Sequence, residues 1–224
     1  MTLDTGVEEI LERMKLDNVM FVNLQFSDMM GMAKSVTIPV SKFKDAVFDG
    51  LWFDGSSIEG FTRIYESDML LMPDLETYAV IPWLEDDNGN VARVICDVHT
   101  PDGEPYEGDP RYILKKVLTE AEEMGFAFNT GPELEFFLFK KENGRIKTSA
   151  DRTIEPHDRG QYFDLVLDNG FDVRRDMIVN LRKMGIDVET SHHEVAPGQH
   201  EIGFKYSDAL NTADKVMTDR KSVV

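Results

Sequence analysis

Cysteine is nearly absent from this sequence: Cys96 is the only one in 224 residues. A single thiol cannot close an internal disulfide, so nothing points to a secreted, disulfide-stapled fold. It lies in the apolar run Val94-Ile95-Cys96, the setting of a buried structural thiol rather than a reactive one. Basic residues are scarce against acidic ones, 24 Lys and Arg against 42 Asp and Glu, for a formal net charge of −18. That deficit argues against a nucleic-acid or anionic-membrane surface, which needs a basic patch. An acidic surplus suits cation or metal binding, and it also serves plain solubility. No apolar run approaches the ~18 residues of a membrane span. The N-terminus has no basic stretch leading into an apolar one, so no signal peptide is expected. Neither a Walker A pattern nor a Gly-x-Gly-x-x-Gly pattern occurs, so any nucleotide site must be of another kind. The absences together lead to the expectation of a soluble, cytoplasmic protein.

What is present is an ordinary globular composition, 42% hydrophobic and 29% charged, long enough for one to two domains at about 150 residues each. Thr5 and Glu8 read as a capping box, and Val7, Ile10, Leu11 and Met14 recur at helical spacing. A helix is therefore predicted near 5–16. Residues 18–26 and 35–40 are Val- and Phe-rich around Asp28-Met29-Met30-Gly31, a hairpin signal. Further strands are predicted at 69–72, 78–82 and 91–98, with Asn88-Gly89 as a tight turn. Strands on both sides of short helices indicate a small α+β domain. The stretch 100–110 holds three prolines and two glycines and reads as a linker. Beyond it come an amphipathic helix at 111–124, a strand at 131–140, a polar surface loop at 141–160 and a helix at 172–184. Strand texture then returns at 186–206 around Pro197-Gly198, and Ser207 is placed to cap a last helix.

Three motifs carry chemistry. In Gly131-Pro132-Glu133-Leu134-Glu135-Phe136-Phe137, strand alternation puts Glu133, Glu135 and Phe137 on one face and Leu134 and Phe136 on the other. A strand apolar on both faces is usually buried on both sides, and two carboxylates there call for a cation. Their Cα atoms lie about 7 Å apart, which suits two neighbouring ions or one ion approached from two sides. The alternative is an exposed strand end with both carboxylates solvated. The second motif is Glu189-Thr190-Ser191-His192-His193-Glu194 with Pro197-Gly198-Gln199-His200-Glu201. If Pro197-Gly198 forms a two-residue hairpin turn, Glu194 falls directly opposite Glu201. Opposed carboxylates are destabilising unless something positive sits between them. Pro-Gly favours a type II turn, which fits such hairpins less well. The neighbouring histidines do not match the zinc-protease helix pattern and are more often structural. Four glutamates without cysteine ligands favour Mg²⁺ or Mn²⁺ over Zn²⁺. The third motif, Asp54-Gly55-Ser56-Ser57-Ile58, reads as a functional loop or as ordinary turn chemistry.

Taken together, these three motifs resemble bacterial type I glutamine synthetases, and Glu59-Gly60-Phe61-Thr62-Arg63 resembles the Bacillus-like subgroup of that family. The resemblance runs through nearly the whole chain in order. It implies an α+β subunit: a β-grasp domain over 18–103, then the first part of an antiparallel-sheet-plus-helices catalytic domain over 110–224. It implies a ligase that joins ammonia to glutamate at the expense of ATP, through γ-glutamyl phosphate. Position by position, Glu135, Glu194 and Glu201 match the ligands of one Mg²⁺ or Mn²⁺ ion, and Glu133 a ligand of a second. Glu189 matches an ATP-site residue, and His193 is a weaker match to the same site. Asp54 matches the carboxylate that holds ammonium and takes its proton for the adjacent subunit. Arg63 matches an arginine tied to feedback regulation by glutamine. The partners implied are glutamate, ammonia, ATP and copies of the same chain, as a dodecamer of two hexameric rings. Neither a nucleic acid nor a membrane is implied. Leu134 stands where the family usually has proline, and family members are much longer. The ATP-side histidine ligand, the phosphate-binding arginines and the flap glutamate belong to the half not represented here. The isolated chain is therefore expected to be inactive. Two other readings are an inactive fragment that assembles with full-length subunits, and a γ-glutamyl ligase for another amine; the complete Asp54 loop favours ammonia.

Overall fold

The apolar stripe of Val7, Ile10, Leu11 and Met14 lies on helix α1 (Leu3–Leu16), and burying that stripe is what holds a short helix in place. In the computed structural model, which describes residues 3–58, 60, 68–149 and 153–218, α1 starts two residues ahead of the expected Thr5 cap. β1 (Val19–Ser27) and β2 (Ala33–Pro39) form the expected antiparallel hairpin, with Phe21 opposite Pro39. Its turn is pinned by Asp28, whose carboxylate accepts from the Met30 and Met32 amides at 2.9 and 2.8 Å. Then follow α2 (Phe43–Asp49), β3 (Leu51–Asp54), β4 (Asp68–Val80) and β5 (Asn90–His99).

The strands expected at 69–72 and 78–82 are one strand, β4. It carries a bulge in which Asp74 faces Ile95 and Ala79 faces Arg93. Thr77 closes the break: its Oγ1 donates to the Asp74 carbonyl and accepts from the Ile95 amide, both at 2.7 Å. A propensity pattern sees the interruption but not that one side chain bridges it.

The five strands form a mixed sheet in the order β2-β1-β5-β4-β3, with only the β1–β5 pair parallel. Alternation turns Val22, Leu24 and Phe26 of β1, Met69 and Leu71 of β4 and Val94, Cys96 and Val98 of β5 into one core with Val7, Met14, Phe43 and Val47. Each such side chain contributes about 1.5–3 kcal/mol on burial. Cys96 is fully buried, as its apolar run implied. After the proline-rich stretch, Asp109 caps α3 (Pro110–Glu123): one oxygen accepts from the Arg111 amide at 2.9 Å and the other from Val98 at 3.0 Å.

A second compact unit spans Asn129–Asp208. β6 (Asn129–Thr130) leads into β7 (Glu133–Phe137). Residues 141–160, expected as a plain loop, contain a small hairpin of β8 (Lys141–Glu142) and β9 (Arg145–Ile146), extended by bridges from Phe139 to Pro156 and from Thr148 to Ile154. Backbone pairing around a tight turn explains it, and no apolar periodicity announces such a ribbon. α4 (Phe171–Lys183) buries Met177 and Leu181 and packs on β10 (Val188–His193). β11 (Gln199–Phe204) completes an antiparallel sheet in the order β10-β11-β7, and β12 (Ser207–Asp208) pairs with β6.

The chain returns to the first unit with α5 (Ala209–Thr218). There Arg111 of α3 gathers three carboxylates on one guanidinium: Asp97 at 2.6 Å, Asp74 at 2.7 Å and Asp214 of α5 at 2.9 Å. Among the described residues, no helix is long and apolar enough to cross a membrane.

Candidate active site

β7 is an edge strand, so its residues alternate between the side covered by the second unit's core and an open side. Phe136 is buried, whereas Glu133, Glu135 and Phe137 are exposed. The expectation that this strand is buried on both faces is not met: the carboxylate face is open, with Phe137 and Phe139 stacked on it, 6.2 Å between centroids. Along β11, Glu201 lies opposite Glu135, Gln199 opposite Phe137, and Gly203 opposite Glu133.

The β10–β11 register differs from the one expected. His192, not Glu194, faces Glu201, and His193 faces His200. The turn is the reason. Pro197-Gly198 does form the centre of a tight turn, with the Gln199 amide bonded to the Ala196 carbonyl at 3.0 Å and Gly198 at φ +70°. That is type II geometry, whose twist splays a two-residue hairpin. Val195 and Ala196 are therefore drawn into a four-residue loop closed by the Glu194 amide on the Gln199 carbonyl, 2.8 Å. The diagonal still brings the carboxylates together. Ligand-type atoms of His192, Glu194 and Glu201 lie within 4.8 Å of one another. The His192 ring stands between the two glutamates, Nδ1 3.5 Å from Glu194 and Nε2 3.6 Å from Glu201. Gln199 donates to Glu135 at 2.8 Å, which ties that carboxylate to the same cluster.

Burial pushes the Glu201 carboxyl above the usual range; His192 counteracts, while the Glu133 and Glu194 carboxylates push the same way. A carboxylate held among others is short of positive charge. Next to it opens a cavity of about 240 Å³ lined by Glu133, Glu189, Glu201, Thr190, Gly203 and Tyr206. Plain alternation would turn Glu189 away from Thr190. A bulge between Val188 and Thr190 breaks the alternation, so both line the cavity.

His193, expected beside the nucleotide, turns to the opposite face. It is fully buried, with Nε2 2.8 Å from Asp158 and Nδ1 2.6 Å from the Glu194 carbonyl. Period-two alternation decides this: a residue between His192 and Glu194 cannot share their face. His192 and Gln199 stand among these carboxylates, where reasoning from sequence did not place them. His192 carries a signal, its i, i+2 relation to Glu194, whereas Gln199 is legible only once the register is known.

Asp54 belongs to the first unit. It ends β3, is exposed, and registers opposite Asp68. Its carboxylate accepts from the Ser56 amide at 2.9 Å, the Ser56 hydroxyl at 2.6 Å and the Ser57 hydroxyl at 3.1 Å. These bonds hold its pKa below the usual carboxylate value. Asp54 therefore caps its own turn and stays ionised. Arg63 lies outside the described residues.

The model of the glutamine synthetase catalytic domain matches residues 107–224, and that of the glutamine synthetase β-grasp domain matches 18–101. The fold is α+β, a β-grasp domain followed by a curled sheet with helices, and the chain belongs to the glutamine synthetase family, a family of ligases. The glutamine synthetase of Thermus thermophilus is 52% identical over 214 residues, covering 94% of this chain and 47% of that protein. That of Methanosarcina mazei is 50% identical over 215 residues, covering 96% and 47%. Among solved structures, Plasmodium falciparum glutamine synthetase superposes with a TM-score of 0.82 at 25% identity, covering 96% of this chain and 47% of that one. A GmaS/ADP complex gives 0.80 at 27% identity, covering 95% and 47%. The chain spans about half the length of the curated relatives it matches.

Proposed function

We propose that this chain contributes the metal-binding half of an ATP-dependent glutamate–ammonia ligase. The observation that carries the reading is the carboxylate face of the second unit: Glu133, Glu135, Glu194 and Glu201 on one side of a three-stranded sheet, with His192 between two of them. Carboxylate donors that outnumber a single imidazole suit Mg²⁺ or Mn²⁺. Burial, with the Glu133 and Glu194 carboxylates nearby, disfavours the charged form of Glu201, and a cation among these groups would favour it. Glu135, Glu194 and Glu201, with His192, would hold one ion, and Glu133 would serve a second. Such ions supply positive charge between two anionic substrates.

The chain's own groups then take definite parts. Glu189, on the rim of the cavity beside Glu133, serves the nucleotide. His193, buried on the other face, does not touch it; the imidazole available there is His192. The γ-carboxylate of glutamate attacks the γ-phosphate of ATP, the bond to ADP breaks, and γ-glutamyl phosphate forms; ammonia then attacks its acyl carbon and inorganic phosphate leaves. Asp54 attracts ammonium and takes its proton. Its exposed position and the facing Asp68 support a cation there, since opposed carboxylates favour one between them. Arg63 serves feedback by glutamine. The working form is a cytoplasmic homo-oligomer in which Asp54 serves a neighbouring copy.

The test is a chain completed with the second half of a relative, assayed for ATP- and ammonia-dependent glutamine formation. Activity that Glu135→Gln and Glu194→Gln abolish supports the reading. Undiminished activity in both variants overturns it. Arg63→Ala in the same chain should keep synthesis and lose inhibition by glutamine.

A further inference from the structure

Behind the carboxylate face, on the other side of the same two strands, lies a buried polar layer that the proposed chemistry does not use. Asp158, His193 and His200 are buried there with ligand-type atoms within 4.8 Å of one another, the spacing of a metal site. Their hydrogen bonds exclude that role. Both ring nitrogens of His193 face acceptors, Nε2 the Asp158 carboxylate at 2.8 Å and Nδ1 the Glu194 carbonyl at 2.6 Å. Both therefore carry protons. His200 Nδ1 faces Nη1 of Arg174 at 2.8 Å, and a guanidinium can only donate, so Nδ1 accepts and Nε2 carries the proton. Neither ring keeps a lone pair for a metal.

The layer is instead two ion pairs on either side of a neutral imidazole. The Asp168 carboxylate holds Arg174 with two bonds, 2.9 and 2.6 Å. Arg174 donates to neutral His200, whose ring packs edge-on to His193, 4.7 Å between centroids. His193 is paired with Asp158. Two glycines make room for the rings: a Cβ on Gly160 would come within 2.8 Å of His193, and one on Gly170 would overlap His200. Nε2 of His200 and Nε of Arg174 are buried with no protein partner among the described residues.

Asp158 is where this layer meets the turn. Its Oδ1 accepts from the Gly198 amide at 3.1 Å as well as from His193, and its Oδ2 accepts from the Asn169 amide at 2.8 Å. Through Gly198 it holds the 195–198 turn, and through His193 it holds the backbone of Glu194. We infer that Asp158 is a positioning residue for the carboxylate face: it anchors the turn and His193 from behind and so keeps Glu194 in register with Glu201 and His192. The link to metal binding rests on the function proposed above; the anchoring of the turn does not.

The test compares the 224-residue chain with Asp158→Ala, which removes the acceptor shared by Gly198 and His193, and with Ile202→Ala, which removes a fully buried side chain of β11 outside the turn. Asp158→Ala should speed amide exchange by NMR at Glu194 and Gly198 about tenfold or more over any increase on the β7–β11 ladder. Ile202→Ala should speed the ladder and the turn alike. Equal acceleration of turn and ladder in Asp158→Ala, or continued protection of Gly198, overturns the inference. Should Asp158→Ala fail to fold, the scalar coupling across the Gly198 N–H to Asp158 carboxylate bond in the unmodified chain decides: its presence supports the anchor and its absence overturns it. Titration with Mn²⁺ separates the two proposals. Affinity about tenfold weaker in Asp158→Ala but nearly kept in Ile202→Ala supports positioning of the ligands. No Mn²⁺ binding by the unmodified chain counts against the metal site itself, while the exchange result still decides the anchor.

Discussion

Removing one glutamate from the carboxylate face should stabilise the metal-free protein. Glu194 and Glu201 offer oxygens no more than 4.8 Å apart, with side chains 12% and 13% exposed. Two like charges at that distance repel by about 0.9 kcal/mol in a water-like dielectric and by about 3.5 kcal/mol at an effective value near 20. His192, 3.5 to 3.6 Å from both, offsets part of this. Glu201→Gln keeps the shape and removes the charge, so a gain of about 1–2 kcal/mol is expected in the presence of a chelator. For a chain of this length that is a rise in Tm of roughly 2–8 °C. The sign agrees with linkage. A carboxyl whose folded pKa is raised contributes stability below its unfolded value and loses that contribution as pH rises through the folded one; Glu201 is such a group. Adding Mn²⁺ at constant ionic strength should reverse the order, because an ion at a hundredfold excess over Kd stabilises by about 2.7 kcal/mol and the variant has lost a ligand. Thermal unfolding followed by circular dichroism, with chelator and with Mn²⁺, measures both. A lower Tm for Glu201→Gln in chelator would refute the reasoning, since it would mean that the protein's own hydrogen bonds satisfy this carboxylate and no cation is called for.

Three further outcomes follow from the geometry. Arg111→Met removes a guanidinium, 9% exposed, from three carboxylates and should cost about 3–5 kcal/mol in denaturant unfolding; Lys115, 2.6 Å from Asp97, places the loss toward the lower end, and a cost under about 1 kcal/mol would show that the cluster behaves like a surface pair. Asp97, Asp158 and Asp168 all have folded pKa values below 3.8, so their contribution is present above that value and is lost as pH falls through the folded ones. Unfolding free energy should drop from about pH 5 toward pH 2, with a shallower slope in Arg111→Met; a flat acid limb contradicts this. Asp54→Asn keeps an oxygen for the two Ser56 bonds that close the turn but loses the charge. In a completed chain it should impair ammonia-dependent synthesis nearly as much as Asp54→Ala and leave ATP binding unchanged, whereas near-normal synthesis would reduce Asp54 to a turn cap.

Periodicity in the sequence determined which residues share a face. Glu133 and Glu135 stand together because a strand alternates, Val7 and Met14 because a helix turns every 3.6 residues. Both local rules hold whatever surrounds the segment. The acidic charge surplus, the buried Cys96 and the hairpin around Asp28 were legible for the same reason. Alternation also separates His193 from Glu194. The tertiary structure decided everything that depends on how two segments slide against each other. A turn of type II geometry takes in Val195 and Ala196, shifts the register and sets His192 against Glu201. A bulge carries Glu189 to the cavity, and a threonine bridges β4 across its break. The long-range pairs, Asp158 with His193 and Arg111 with Asp214, join residues 35 and 103 positions apart. No local pattern encodes such a partner, because the attraction that selects it must offset the cost of desolvating both charges and is strong only once the chain has closed around them.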